Sequence, residues 1–320
     1  MSASTADLLA DPGLAGEIAA RSPMQLFMRR FREDRVAVAA AAFIVVLIAV
    51  AIFSPLIRSL AGAPDPNLQN PNALDVFGTP TGPSSAHWFG VDELGRDVFS
   101  RVLAGASVSL QVAFIATGIA LVVGTSLGMI AGYYRGWADT VISRAVDVLL
   151  AFPILLLALG LAAACSGIDG CLGGLIQPGK WLVIFVIAFV NWTYVARLVR
   201  GQTLSLREKE FVEAARAMGS SDRRIVFSEI LPNLVAPIIV YATLLIPTNI
   251  LFEAALSFLG VGVQPPQASW GQMIADATSI FGSAPWFMLA PGIALVMTVL
   301  AFNLVGDGLQ DALNPRSARS

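Results

Sequence analysis

The chain has 320 residues, of which 56% are apolar and 13% charged, and its mean hydropathy is +0.73. Soluble domains carry about 25% charged residues, so this composition excludes an ordinary water-soluble fold and predicts an all-α integral membrane protein. A formal net charge of −2 gives no reason to expect nucleic acid, and two cysteines with one histidine rule out most Cys/His metal sites.

Residues 1–35 form a polar tail that ends in Arg29, Arg30, Arg32 and Arg35. The charge-free run 36–57 follows. It is longer than the roughly 7–15 residues of a signal h-region and close to the ~20 that cross a bilayer, so it is read as a first span and not as a cleaved signal. Further charge-poor runs at 108–132, 145–164, 181–199, 234–259 and 286–306 bring the predicted count to six. The predicted division is thus a tail (1–35), a first span (36–57), an outer loop (58–107), a five-helix core (108–306) that includes a charged loop at 200–233, and a second tail (307–320). With the N-terminus inside, sixteen of the twenty cationic residues fall in cytoplasmic segments. That asymmetry predicts a multi-pass plasma-membrane (inner-membrane) protein with both termini and the 208–232 stretch in the cytoplasm.

The outer loop opens with Pro64, Pro66, Pro71, Pro80 and Pro83 and reads as irregular chain. After it, Leu94, Val98, Phe99, Val102 and Leu103 alternate at helical spacing with Glu93, Arg96, Asp97, Ser100 and Arg101. This predicts an amphipathic helix at the membrane interface with an Asp97–Arg101 pair on its wet face. His87 beside Trp88 reads as interfacial packing. Gly124, Gly128 and Gly132 recur every four residues and predict close approach of another helix. Arg144 and Asp147, three apart, are expected to pair.

Cys165 and Cys171 fit either a small disulfide loop or two free thiols. The segment 174–180, GLIQPGK, matches seven places of a phosphate-binding loop, but Trp181 stands where Ser or Thr must hold magnesium and no strand is expected before it. No nucleotide site and no catalytic residue are expected in this chain. Pro237 and Pro247 predict a bent or broken fifth span. Near its outer end Asn249 and Glu253 either line a translocation pathway or sit solvated at the interface; both readings stay open.

Between two apolar runs lies the charged stretch 208–232. Phe211, Ala214, Ala215 and Met218 recur at i, i+3, i+4 and i+7, giving a helix with one apolar ridge flanked by charges such as Glu213. Gly219 is placed to end it, and Ser220 or Ser221 to cap a second short helix running to Leu231 and Pro232. Such a knob is expected to contact a soluble partner.

Glu213-Ala214-Ala215, then Gly219, then Ile230-Leu231-Pro232 resembles the EAA loop of importer-type ABC transporter membrane subunits. Ile230 stands directly before Leu231, where the broad pattern has it one place earlier, and this form is that of the peptide-permease branch. Beyond the loop, HWFGVDELGRDVFSR, LSFLGVGVQPP and FNLVGDGLQDALNP are similar to the C-type permease subunit of dipeptide and oligopeptide importers, over residues 22–316. The resemblance implies a six-helix type I ABC importer permease fold whose coupling helix docks through Phe211, Glu213, Ala214, Ala215, Met218 and Gly219, with Leu231 and Pro232 behind. It implies two separate cytoplasmic ATPase subunits, or one fused chain, that bind ATP and Mg²⁺, with no cofactor in this chain. It also implies a homologous second permease, as a heterodimer, and an extracytoplasmic substrate-binding protein. Nickel and glycan-fragment importers look similar. A stand-alone secondary transporter would need ionisable groups in several spans or an inverted repeat.

Overall fold

A computed structural model describes residues 23–165, 167, 170–171 and 174–313. Among the described residues the structure is helical, with three isolated bridges as the only extended pairing. The terminal residues of both predicted tails lie outside them.

Helix α1 (Pro23–Glu33) leads to Asp34, whose carboxylate accepts from the amides of Val36 and Ala37 and so starts α2 (Arg35–Ile52). The predicted run to residue 57 is interrupted at Phe53, because Pro55 has no N–H to continue the ladder and opens α3 (Ser54–Leu60) instead. Helix α4 (Val98–Tyr134) is continuous over 37 residues. At 1.5 Å per residue it is about 55 Å long, well beyond the ~30 Å hydrocarbon core.

The expected interfacial helix is therefore not a separate element. Its first half is loop, and the helix begins where Asp97 caps the Ser100 amide at 2.7 Å. The polar face is not wet either, since Arg96, Asp97, Ser100 and Arg101 are all buried. The chain from Pro64 to Asp97 folds back over them as a cap: Ser100 Oγ donates to the Pro64 carbonyl (2.8 Å), Arg101 to Pro66 (3.2 Å), and the Val98 amide to Gly90 (3.1 Å). Asp97 lies 2.8 Å from His87 Nδ1, while Arg101 faces Asp92 at 3.4 Å and Arg96 binds Asp92 at 2.6 Å. The expected Asp97–Arg101 pair does not form, and His87 is a hydrogen-bonded anchor of the cap.

Helices α5 (Gly136–Ala151) and α6 (Ile154–Ala164) meet at 91°. Pro153 excludes the helical region for the residue before it, and Phe152 is extended at φ −85°, ψ 142°. The third predicted span is thus a bent pair. The Arg144–Asp147 pair is replaced by Asp147–Arg197 at 2.8 Å, which ties α5 to α7 (Lys180–Arg207). After α8 (Glu210–Ala217), α9 runs Asp222–Phe258 through a π-helical segment at Ile225–Ile230. It stays one helix through Pro237 and Pro247, where a break was an expected outcome. Helices α10 (Trp270–Ala277) and α11 (Pro285–Leu313) complete the chain. Among the described residues five helices, α2, α4, α7, α9 and α11, are long and apolar enough to cross a membrane, six if α5–α6 counts as one crossing.

Helices α4 and α7 pack at the centre. A Cβ on Gly124 would stand 2.5 Å from Val195 Cβ, one on Gly128 2.7 Å from the Ala196 carbonyl oxygen, and one on Gly132 2.7 Å from Thr203 Cβ. The stripe is a packing seam, as its spacing predicts. Gly128→Val should destabilise the protein by roughly 1–3 kcal/mol through overpacking. Thermal denaturation in detergent checks this, with Gly118→Ala, where nothing lies within 4 Å, as the unaffected control.

Candidate functional site

The charged segment is built on the ends of four helices. Helix α7 stops at Arg207, and α8 begins at Glu210 after the two cap residues Glu208 and Lys209. It ends in a Schellman motif: the Gly219 amide donates to Arg216 and the Ser220 amide to Ala215, each at 3.0 Å. Gly219 takes φ +81°, as its predicted role requires. Ser221 then accepts from the Arg224 amide and opens α9. The second helix is therefore not short. Residues 222–230 are the first turns of the long helix α9, so the knob is a single helix leaned against a longer one.

The predicted ridge is divided. Val212 and Ala215 are buried against Ile225, Ile230, Met129 and Tyr133. Phe211 (38% exposed), Ala214 and Met218 (80%) face outward, with Glu213 also exposed. Leu231 is half-buried and Pro232 exposed in the adjoining helix. Ala215 thus belongs to the mounting of α8 and not to its outer face. Val212, missed in the sequence, holds the mounting; its three-residue spacing to Ala215 was the available signal, but spacing cannot tell which of two faces meets the bundle.

Polar contacts fix this mounting. Tyr133, at the end of α4, donates to Asp222 at the start of α9 (2.7 Å), and Arg207 at the end of α7 donates to the Tyr133 carbonyl (2.7 Å). The Arg207 guanidinium also lies 5.8 Å from the Tyr133 ring centre. Arg135 reaches Glu208 at 2.5 Å, and Arg200 grips Asp139 with two nitrogens at 2.5 and 2.8 Å. No sequence spacing links these partners, because the two members of each pair come from different segments of the chain.

Asn249 and Glu253 stand elsewhere and are both fully buried. Asn249 accepts from Asn191 Nδ2 (2.7 Å) and donates to Thr117 (2.8 Å). Glu253 accepts from Ser109 (3.1 Å) and Ser257 (2.8 Å). The solvated reading does not describe them, since four-residue spacing on α9 turns both into the interior against α4 and α7. They are polar struts between helices. Cys165 and Cys171 are joined as a disulfide. Lys180 does not cradle a phosphate loop; it opens α7 and donates to Gln111 at 3.2 Å. Among the described residues no group of three His, Cys, Asp or Glu side chains converges as a metal site.

Long apolar helices carrying one short, charged helix at their ends define a membrane-embedded chain. The family described as "binding-protein-dependent transport system inner membrane component" matches residues 124–319, and the N-terminal transmembrane domain of oligopeptide transport permease C matches residues 22–75. The chain belongs to this family of ABC importer permeases, as a multi-pass inner-membrane subunit. It is 44% identical over 92% of its length to the dipeptide transport system permease protein DppC of Alkalihalophilus pseudofirmus, covering 90% of that protein. It is 46% identical to the glutathione transport system permease protein GsiD of Escherichia coli O157:H7, covering 92% of this chain and 91% of that one. A chain of the MetNI methionine ABC transporter in an inward-facing conformation superposes with a TM-score of 0.55 at 20% identity, over 68% of this chain and 97% of that one, and shares its fold.

Removing the Glu253 carboxylate leaves two buried hydroxyls without their acceptor. Glu253→Ala should therefore lower stability by about 1–3 kcal/mol or more, read as a drop in melting temperature of the purified protein.

Proposed function

We propose that this chain is one of two membrane subunits of an ATP-driven importer of di- and oligopeptides, and that α8 is its coupling helix. The observation that carries the reading is the pair of faces on α8: Val212 and Ala215 seal one to the bundle, while Phe211, Ala214 and Met218 stand open on the other. An exposed apolar edge with Glu213 beside it suits the cleft of a soluble protein and not lipid. The sixteen-to-four bias of cationic residues supports a cytoplasmic position for this edge and for both termini.

In this reading ATP and Mg²⁺ bind to separate or fused ATPase subunits, a homologous second permease completes the membrane part, and a soluble binding protein delivers substrate from outside. Peptide is favoured over nickel or glycan fragments because the relatives above carry the names of dipeptide and glutathione systems. The mechanical step follows from the mounting. A force on α8 is passed through the Schellman turn and the Tyr133–Asp222 bond to α4 and α9, and through Glu208 to α7.

The test is reconstitution with the ATPase, second permease and binding protein that co-purify with this chain, followed by ATP-dependent uptake of a labelled dipeptide. Gly219→Val forces a β-branched residue to φ +81°, at a cost of roughly 1–2 kcal/mol or more. It should reduce coupled uptake about tenfold while ATP hydrolysis persists. Normal uptake by this variant, or a chain that never co-purifies with an ATPase, would sink the assignment.

A further inference from the structure

Two concave surfaces on the spanning helices have walls without a hydroxyl, a carboxamide or a charge. One, of about 430 Å³, is bordered by Leu155, Leu251, Phe258 and Leu295 and is apolar all round. The other, of about 470 Å³, lies between α4 and α7, where Ile119 and Val123 face Ile184, Phe185 and Phe189. Trp181 and Trp192 are its first and last residues on α7. Leu175 and Ile176 border it from the loop before α7, where the Ile176 carbonyl accepts from the Cys171 amide (2.8 Å).

What separates the second groove from the first is a cation at its mouth. Lys180 Nζ lies 5.5 Å from the ring centre of Trp181 and donates to Gln111 of α4 at 3.2 Å. Both of these partners are neutral. The three other cations assigned to the outer side face carboxylates: Arg96 and Arg101 face Asp92, and Arg58 is 4.0 Å from Asp65. Lys180 therefore sets a half-buried positive charge at one end of an apolar groove. A lysine stem lying along apolar surface carries its ammonium to the level of the lipid headgroups, and tryptophan favours the same level.

The length of the groove identifies what fits it. Trp181 and Trp192 are eleven residues apart, which is about 16 Å along a helix. Half of a ~30 Å hydrocarbon core is nearly the same depth. Below Trp192 the two helices close on each other, since a Cβ on Gly124 would stand 2.7 Å from the Trp192 carbonyl oxygen. A groove one leaflet deep suits an acyl chain and is too short for a crossing helix. We propose that it holds one chain of an anionic phospholipid of the outer leaflet, with the phosphate at Lys180. The leaflet follows from the orientation proposed above, in which α7 starts outside; the lipid itself does not depend on the importer reading. Apolar attraction is weak within a bilayer, so the shape of the groove holds the chain and the charge of Lys180 selects the headgroup.

The test titrates the purified full-length chain in detergent with phosphatidylglycerol or phosphatidylcholine of identical acyl chains and counts retained lipid by native mass spectrometry. Phosphatidylglycerol should be held about fivefold more tightly. Lys180→Gln should remove this preference and Lys180→Arg should keep it, whereas Arg58→Gln, at a cation that already faces Asp65, should leave it unchanged. Ile119→Trp fills the groove from its exposed edge and should lower retention of both lipids, with melting temperature as the check that each variant is folded. In vesicles, phosphatidylglycerol brominated at mid-chain should quench Trp192, read as the difference from Trp192→Phe. Equal retention of the two lipids, an unchanged preference in Lys180→Gln, or undiminished binding by Ile119→Trp would overturn the assignment. So would a cross-link from Ile119→Cys to a second membrane subunit in every state of the assembled complex, which would give the groove to protein instead of lipid.

Discussion

Helices α4 and α7 touch backbone to backbone along Gly124, Gly128 and Gly132, and most of the other contacts depend on that approach. Within a membrane, apolar attraction between helices is weak because lipid is equally apolar, so close packing and interhelical hydrogen bonds must supply the association. The glycine seam provides the first and makes the second geometrically reachable. Above the seam it brings Thr117 within range of Asn249 while Asn191 bonds the same side chain. Below it, Tyr133 and Arg207 meet where the two helices leave the bundle. A side chain at any of the three positions would separate both sets of partners.

The same requirement, that polar groups find partners inside the protein, explains the cap at the start of α4. Asp92, Arg96, Asp97 and Arg101 are buried charges, which are costly unless compensated. Asp92 faces both arginines, Arg101 also reaches the Pro66 carbonyl, and Asp97 is divided between a helix cap and His87. Trp286, from α11, donates to the Val91 carbonyl at 3.3 Å and ties the cap to a second helix. Glu93 at its edge has its carboxyl pushed above the usual range, by burial first and by Asp276 and Asp92 after it. The cluster works as a fastening that holds a long irregular segment in one shape.

These two features also mark how far the sequence could be read. Lipid-length runs, the glycine stripe and the turn at Gly219 are local signals with one dominant physical cause each, and they are where the fold was legible. The cap was not, because a charged stripe at helical spacing looks solvent-facing unless a segment more than thirty residues earlier returns to cover it, as Pro64 and Pro66 do. The break before Pro153 was readable in principle, but a continuous apolar run masked it. At the charged helix, periodicity found the ridge without telling that Ala215 and Val212 face inward. The partners of Glu253 were hidden for a related reason. An ionisable residue in a span implies a polar environment, and here the hydroxyls of Ser109 and Ser257 are that environment.

Helix α8 shares its supports with the groove bordered by Asn191, Tyr194, Tyr241 and Thr248. Helix α7 carries Asn191, Tyr194 and Gln202 and ends at Arg207, directly before α8. Helix α9 begins at Asp222, directly after α8, and carries Tyr241 and Thr248. The short helix is therefore spliced between the two elements that wall the groove, and Ile225 and Ile230 of α9 pack against its buried face. Packed helices move as bodies and do not deform continuously, so a tilt imposed on α8 cannot be absorbed locally. It would bear on both α7 and α9. The clamp of Arg200 on Asp139 and of Arg197 on Asp147 ties α7 to α5, up to the 91° break that separates it from α6. Ile154, the first residue of α6, borders the groove, so the break sits at its edge.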